Sequence, residues 1–260
     1  MPLKLGFLGT GAITSAMVKG LCSAGGERYA IRLSPRNAET AADLAGRYRE
    51  VSVATSNQAV VDESEMVVIA VRPQIAEHVL SELRFREGQN AISLVSGYSL
   101  RRVSGLVAPA GRVTRAVPLP SAAQRRSPTA MYPRDEAAVE LFALLGTAFA
   151  VDTESEFDAL CTATATMAAY FAYADAAASW LARNGIPQTK AREYVAGMYA
   201  GLAGAAVEAP ELSFHELAAD HATRGGINEQ VLNYLVEHGV FQTFSEVLDA
   251  VMRRVSAASR

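Results

Sequence analysis

Three groups of residues in this 260-residue chain have types and spacings suited to chemistry. The first is Gly9-Thr10-Gly11, where an alternating apolar run from Leu3 breaks at two glycines and continues into the apolar-periodic segment Ile13 to Leu21. That pattern predicts a buried strand, a tight turn and the first turn of a helix. Such a junction takes a dinucleotide pyrophosphate. The first glycine permits the turn, the second lets the backbone approach the phosphates, and the helix start offers unpaired N–H groups to negative charge. Gly9, Gly11, Ala12 and Ile13 are the expected contacts, with Thr14 off pattern at the third fingerprint position.

The second group follows the next strand, at Ser34-Pro35-Arg36-Asn37. An NAD enzyme of this type places Asp or Glu there for the ribose 2′-OH, whereas a carboxylate would repel a 2′-phosphate. Ser34 and Arg36 offer a hydroxyl and a cation, so NADP(H) is expected in preference to NAD(H). The third group is Gly225-Gly226 with Ile227 and Asn228, opening a late helix. Its backbone N–H groups would face an anion by the same physics. The Asn228 amide can donate or accept a hydrogen bond.

The elements that must position these groups alternate over the first 150 residues. Strands are expected at Leu3–Leu8, Tyr29–Leu33, Val51–Val53, Met66–Val71, Ala91–Val95, Arg112–Val117, Thr129–Tyr132 and Phe149–Asp152. Helices are expected after Gly11, from Ala38, from Asn57, from Pro73, from Leu100 and over Asp135–Leu145, the first stopping near Ala24-Gly25-Gly26. The unbroken apolar run Met66 to Val71 suits a parallel strand buried on both faces, and its end, Ala70-Val71-Arg72-Pro73, lies at the sheet edge where ligands bind. Pro73 suits a helix start because its missing N–H would be unpaired there. Strand and helix alternation of this kind predicts an α/β fold, a Rossmann-type doubly wound parallel sheet.

Beyond Glu154 the strand signal stops. Helices are expected over Glu156–Asn184, Thr189–Glu208, Phe214–His221, Asn228–His238 and Phe244–Val255, rich in Ala, Gly, Thr and Ser. The division expected is 1–153 for the dinucleotide-binding domain and 154–260 for an all-helical substrate and dimerisation domain. Small-residue faces on long helices need a partner surface, which predicts a symmetric homodimer through the C-terminal helices. Tyr170, Phe171 and Tyr173 are expected in that dimer core rather than at a cofactor.

A net charge of −3 argues against nucleic acid or an anionic membrane as partner. Leu160–Leu181, the least polar long stretch, reads as a buried helix and not a membrane span, since it has few large aliphatics and no basic flanks. Two cysteines, Cys22 and Cys161, in separate helices imply neither a disulfide framework nor a thiolate metal site, and a cytoplasmic setting is expected. His215 and His221 are not at the i, i+4 spacing of paired ligands on one helical face, so no metal is expected.

Over essentially its whole length the chain resembles the pyrroline-5-carboxylate reductase family. The resemblance rests on Gly9-Thr-Gly11-Ala-Ile, Val71-Arg-Pro-Gln74, Arg115 leading to Pro118, Tyr170 and Gly225-Gly226. It implies a two-domain NAD(P)H-dependent reductase of a cyclic imine carboxylate, dimerised through interlocked C-terminal helices and completing proline synthesis. The matching cofactor positions include Asn57 and Ala70 to Pro73, and the family's late-helix threonine, which partners the imine nitrogen, is here Asn228. The resemblance also sets Gly225 and Gly226 against the substrate carboxylate and puts Thr166 at one of the family's serine positions, where its hydroxyl either serves the site or bonds to its own backbone. Departures gather at the substrate end: Pro118-Leu-Pro-Ser121, Thr164-Ala-Thr-Met-Ala-Ala-Tyr170 and Thr223-Arg-Gly-Gly-Ile-Asn228 replace the family patterns. They leave open a relative reducing another imine or keto acid, and a protein that binds NADP(H) without turnover.

Overall fold

The computed structural model describes residues 1–25 and 28–258. The chain divides into two compact units, Met1–Cys161 together with the stretch from Met252, and Thr162–Val251. The first helix runs to Ser23; Gly26, expected in its stop, lies outside the described residues.

In the first unit eight strands form one sheet. They are β1 (Leu3–Leu8), β2 (Tyr29–Leu33), β3 (Val51–Val53), β4 (Met66–Ile69), β5 (Asn90–Ser93), β6 (Arg112–Val117), β7 (Ser127–Tyr132) and β8 (Gly146–Ala150). Their order is β3-β2-β1-β4-β5-β6-β7-β8. Between them run α1 (Ala12–Ser23), α2 (Ala38–Arg47), α3 (Asn57–Asp62), α4 (Pro73–Ser81), α5 (Leu100–Leu106) and α6 (Glu136–Ala143). The sheet reverses its winding between β1 and β4, the switch point at which such folds bind ligands.

Strand alternation sorts the core into two layers. Met66 and Val68 join the cluster of Leu5, Phe7 and Met17 on one face, and Val67 and Ile69 join Leu8, Val60 and Leu80 on the other. β4 therefore reads as an unbroken apolar run because both its faces are covered.

Several expectations need correction. The sheet is not wholly parallel, since β7 runs antiparallel to β6. The connection over 118–126 contains only a short 3₁₀ turn, Pro120–Gln124, and a parallel return needs a crossover of about a dozen residues. β4 stops at Ile69 and not Val71, because its neighbour β1 ends at Leu8 and turns away at Gly9. β5 starts one residue earlier than expected and ends two earlier, β7 starts two earlier, and β8 begins at Gly146, where only a glycine fits against the Ser127 backbone.

Beyond the sheet come α7 (Glu154–Thr164), α8 (Met167–Arg183), α9 (Gln188–Glu208), α10 (Phe214–His221), α11 (Ile227–Glu237) and α12 (Val240–Ala258). The single helix expected over Glu156–Asn184 is thus two. Thr162, Thr164 and Thr166 crowd the break, where Ala165 N–H and Thr166 N–H turn to the i−3 carbonyls and Thr166 Oγ1 donates to the Ala163 carbonyl at 2.8 Å. Threonine hydroxyls compete with the helix for its own acceptors.

Nor is Leu160–Leu181 buried within this chain. The second unit's core is the α8–α9 contact, where Ala178 meets Ala191 and Val195. Phe171, Tyr173 and Trp180 of α8 and Tyr194 of α9 are more than half exposed, as are Phe214, Ile227, Val231, Tyr234 and Val236 of α10 and α11. No described helix is long and apolar enough to cross a membrane.

Within the first unit a buried ionic contact joins β6 to α7. The Arg115 guanidinium meets Glu154 at 2.6 Å and Asp158 at 3.1 Å and lies 4.4 Å from the centre of the Phe157 ring. Glu154 Oε1 also accepts the Leu100 N–H at 2.6 Å, which brings α5 into the same contact. Arg115 and Asp158 are almost fully buried, and a buried charge is tolerated only when paired. Arg115→Met removes the cation from beside the Glu154 and Asp158 carboxylates and should lower stability to chemical unfolding by about 3 kcal/mol; a midpoint equal to wild type would show that the contact contributes nothing.

Candidate functional site

The ends of four parallel strands build a cavity of about 410 Å³ at the switch point. Gly9, Thr10 and Gly11 follow β1, Ser34, Arg36 and Asn37 follow β2, Asn57 opens α3, and Ala70, Val71 and Arg72 follow β4, with Ile75 and Val79 of α4 completing the wall. Eight of the expected cofactor positions therefore line one cavity. Ala12 and Ile13 stand beside it in the first turn of α1, and Pro73 begins α4.

The two glycines do different work. Gly9 has φ +98, and a Cβ there would lie 2.5 Å from the Ala70 carbonyl oxygen, so the fold itself demands glycine. Gly11 has an ordinary φ of −95, and a Cβ there would meet nothing within 4 Å. The space beside Gly11 belongs to the cavity, which is the room a pyrophosphate needs. The N–H groups of Ala12, Ile13 and Thr14 have no intrahelical acceptor by helix geometry. These features fit a dinucleotide.

Thr14 is tolerated at the third fingerprint position because it is fully buried and its Oγ1 donates to the Gly9 carbonyl at 2.7 Å. The close helix approach has moved to Gly20, where a Cβ would strike the Ala122 carbonyl.

Ser34 takes a different part from the one its position suggests. Its hydroxyl accepts the Gly9 N–H at 2.9 Å and lies 3.2 Å from Thr10 Oγ1, while its carbonyl accepts from that Oγ1 at 2.8 Å. With 1% of its surface exposed, Ser34 ties β2 to the glycine turn. Asn37 Nδ2 likewise donates to the Thr10 carbonyl at 3.0 Å. Of the residues after β2, the Arg36 guanidinium is the group at the cavity with no hydrogen bond or ion pair among the described residues. Sequence reasoning missed Thr10, Asn37, Ile75 and Val79; the polar pair sits inside the motifs already recognised, whereas the contribution of the α4 face depends on its packing.

The substrate-end candidates lie in the second unit. Thr166 opens onto an apolar groove of about 310 Å³ with Ala169, Val240, Phe244 and Val247, and none of residues 225–228 lines it. Gly226 caps the start of α11, and its N–H donates to the Thr223 carbonyl at 2.8 Å. The Gly225 N–H donates to Glu229 Oε2 at 2.6 Å, and Asn228 Nδ2 donates to the His221 carbonyl at 3.1 Å. The glycine-pair N–H groups are therefore not open, as the sequence suggested, but engaged by neighbouring acceptors. Ile227 points outward and is largely exposed.

Burial pushes the thiols of Cys22 and Cys161 up to about 11, so neither is a thiolate nucleophile near neutral pH. No group of three or more His, Cys, Asp or Glu side chains able to hold a metal occurs among the described residues.

Residues 4–97 match the family model described as NADP oxidoreductase coenzyme F420-dependent, and residues 154–258 match that described as pyrroline-5-carboxylate reductase dimerisation. Pyrroline-5-carboxylate reductase of Haemophilus influenzae is 24% identical over 96% of this chain and 95% of its own. That of Methanosarcina acetivorans is 28% identical, covering 96% and 94%. Residues 154–258 thus carry the dimerisation domain of pyrroline-5-carboxylate reductases, and the chain is similar to such enzymes over its full length. Among solved structures, the 1-pyrroline-5-carboxylate reductase of Streptococcus pyogenes superposes with a TM-score of 0.85 at 25% identity, covering 98% of this chain and 99% of that one. The chain is an NAD(P)H-dependent oxidoreductase acting on a C=N bond.

The two glycines predict opposite failures. Gly9→Ala should destabilise the fold by about 2 kcal/mol through backbone strain and the Ala70 clash. Gly11→Ala should change stability by less than about 1 kcal/mol yet weaken NADPH binding about tenfold or more, as read by chemical unfolding and by cofactor titration. Equal effects of the two on cofactor affinity at unchanged stability would remove this division of roles.

Proposed function

We propose that this protein catalyses NADPH-dependent reduction of a small cyclic imine, 1-pyrroline-5-carboxylate or a close analogue, to the cyclic amine. The observation that carries the reading is the switch-point cavity, in which a glycine cradle with open space meets an arginine that has no partner among the described residues, in a chain similar over its full length to pyrroline-5-carboxylate reductases.

Residues 1–153 hold the cofactor in this reading. The first turn of α1, with Gly9, Gly11, Ala12 and Ile13, receives the pyrophosphate. Arg36 pairs with the 2′-phosphate, a charge-assisted contact that NAD(H) cannot make. Ser34 supports the turn from beneath. Asn57 and Ala70 to Pro73 border the remaining length of the cofactor. When bound, the reduced nicotinamide supplies the hydride that becomes the new C–H bond.

Residues 154–260 supply the substrate end and the dimer. A protonated imine is already electrophilic and needs a hydrogen-bond acceptor near nitrogen more than a strong acid. Asn228 fits that need: its Nδ2 is held by the His221 carbonyl, which leaves Oδ1 free to accept the iminium N–H. Gly225 and Gly226 with Ile227 border the substrate, and Thr166 offers a further hydroxyl. The exposed aromatic and aliphatic side chains of α8 to α11 form the surface that a second copy covers. The setting is cytoplasmic, and neither nucleic acid nor membrane is a partner.

Oxidation of NADPH in the presence of 1-pyrroline-5-carboxylate tests this activity. Asn228→Ala should lower kcat about tenfold to a hundredfold with cofactor affinity intact. In the same assay Arg36→Ala should raise KM for NADPH about tenfold and leave that for NADH nearly unchanged. No rate with any five- or six-membered cyclic imine, while NADPH still raises Tm, would replace the enzyme with a cofactor-binding protein. Sedimentation at micromolar concentration should show a dimer; a monodisperse monomer would remove the second copy.

A further inference from the structure

The donors at the start of α11 are satisfied in a way that bears on which imine is accepted. Gly226 N–H and Asn228 Nδ2 are held by backbone carbonyls, those of Thr223 and His221. The Gly225 N–H is held by a side chain, Glu229 Oε2, at 2.6 Å. Gly225 has φ +74, and a Cβ there would meet nothing within 4 Å, so the N–H is not enclosed by packing. It is satisfied because Glu229, at the third position of α11, reaches back over the turn.

Of these three acceptors, only Glu229 swings on side-chain rotors, so a ligand can displace it without unfolding a turn. It is also a carboxylate, the group expected of the substrate at this place. Two carboxylates cannot share one N–H, and at that distance their like charges repel. A substrate carboxylate must first expel that of Glu229, giving up a charge-assisted hydrogen bond in the process. An imine with no carboxylate has no such competitor.

We propose that Glu229 is a specificity-determining residue, an internal carboxylate that competes with the substrate's for the Gly225 N–H and biases the enzyme toward cyclic imines lacking that group. The proposal rests on the reading of Gly225 and Gly226 as the substrate end and adds no second site.

The test is steady-state kinetics of the full-length protein at saturating NADPH with 1-pyrroline-5-carboxylate and with 1-pyrroline, for wild type, Glu229→Ala and Glu229→Gln. Glu229→Ala frees the N–H and should lower KM for 1-pyrroline-5-carboxylate about tenfold, while KM for 1-pyrroline stays within about twofold. Glu229→Gln keeps an acceptor but drops the charge, so it should fall between wild type and Glu229→Ala, and it carries the test if the alanine variant does not fold. A KM for 1-pyrroline-5-carboxylate that is unchanged or raised in both variants, or one that moves in step with that for 1-pyrroline, would show Glu229 to be a helix-start residue alone and overturn the proposal. Turnover of neither imine by wild type or variants, with NADPH still raising Tm, would overturn the reductase reading and this proposal with it.

Discussion

The contact on which the first unit turns is the approach of Gly9 to the Ala70 carbonyl. β1 and β4 are neighbours in the sheet, yet α1 and α4, which follow them, pack into different core layers. The chain can leave β1 at that point only by a left-handed turn pressed against the end of β4, and a Cβ at Gly9 would sit 2.5 Å from the Ala70 oxygen. Ser34 adds a third strand end by accepting the Gly9 N–H. The ends of β1, β2 and β4 are thus fixed to one another before any ligand arrives, which is the preorganisation that a cofactor site needs.

Charge is used sparingly and locally. In the first unit, Arg115 is buried with Glu154 and Asp158 around it, and the same Glu154 oxygen holds the start of α5. A residue that matches a family motif therefore serves in this fold as a tie between β6, α5 and α7. At the cavity, Arg36 has no partner among the described residues, which is why the two arginines, equal in sequence, differ so much in what they can offer a ligand. At the start of α11 the chain supplies its own carboxylate to a backbone N–H, so an anion-binding motif can be present in the residues and already answered by a neighbour.

The second unit shows the opposite balance of burial. Its internal core is the alanine-rich seam between α8 and α9, while most of the large side chains on α8 to α11 face outward. Small residues let two helices of one chain meet closely, and the aromatics that cannot fit between them remain for another surface. The match to a dimerisation family over residues 154–258 is consistent with that distribution.

The sequence by itself determined the elements whose signals are local. β1, β2, β3 and β6 have the bounds expected from the sequence, and α3 and α4 begin at Asn57 and Pro73, where a serine cap and a proline mark the start. Gly9, Gly11 and the end of β4 pointed to the cofactor edge because glycine spacing and an unbroken apolar run are short-range patterns. What only the tertiary structure decided are the matters of partnership. β4 ends where β1 stops supporting it, and β7 runs antiparallel because its connection is short. Ser34 spends its hydroxyl on Gly9, and Glu229 takes the N–H of Gly225. A hydrogen bond is exclusive in a way that a residue type is not: which donor finds which acceptor depends on distances set by packing, and those distances decide which polar groups are left for a ligand.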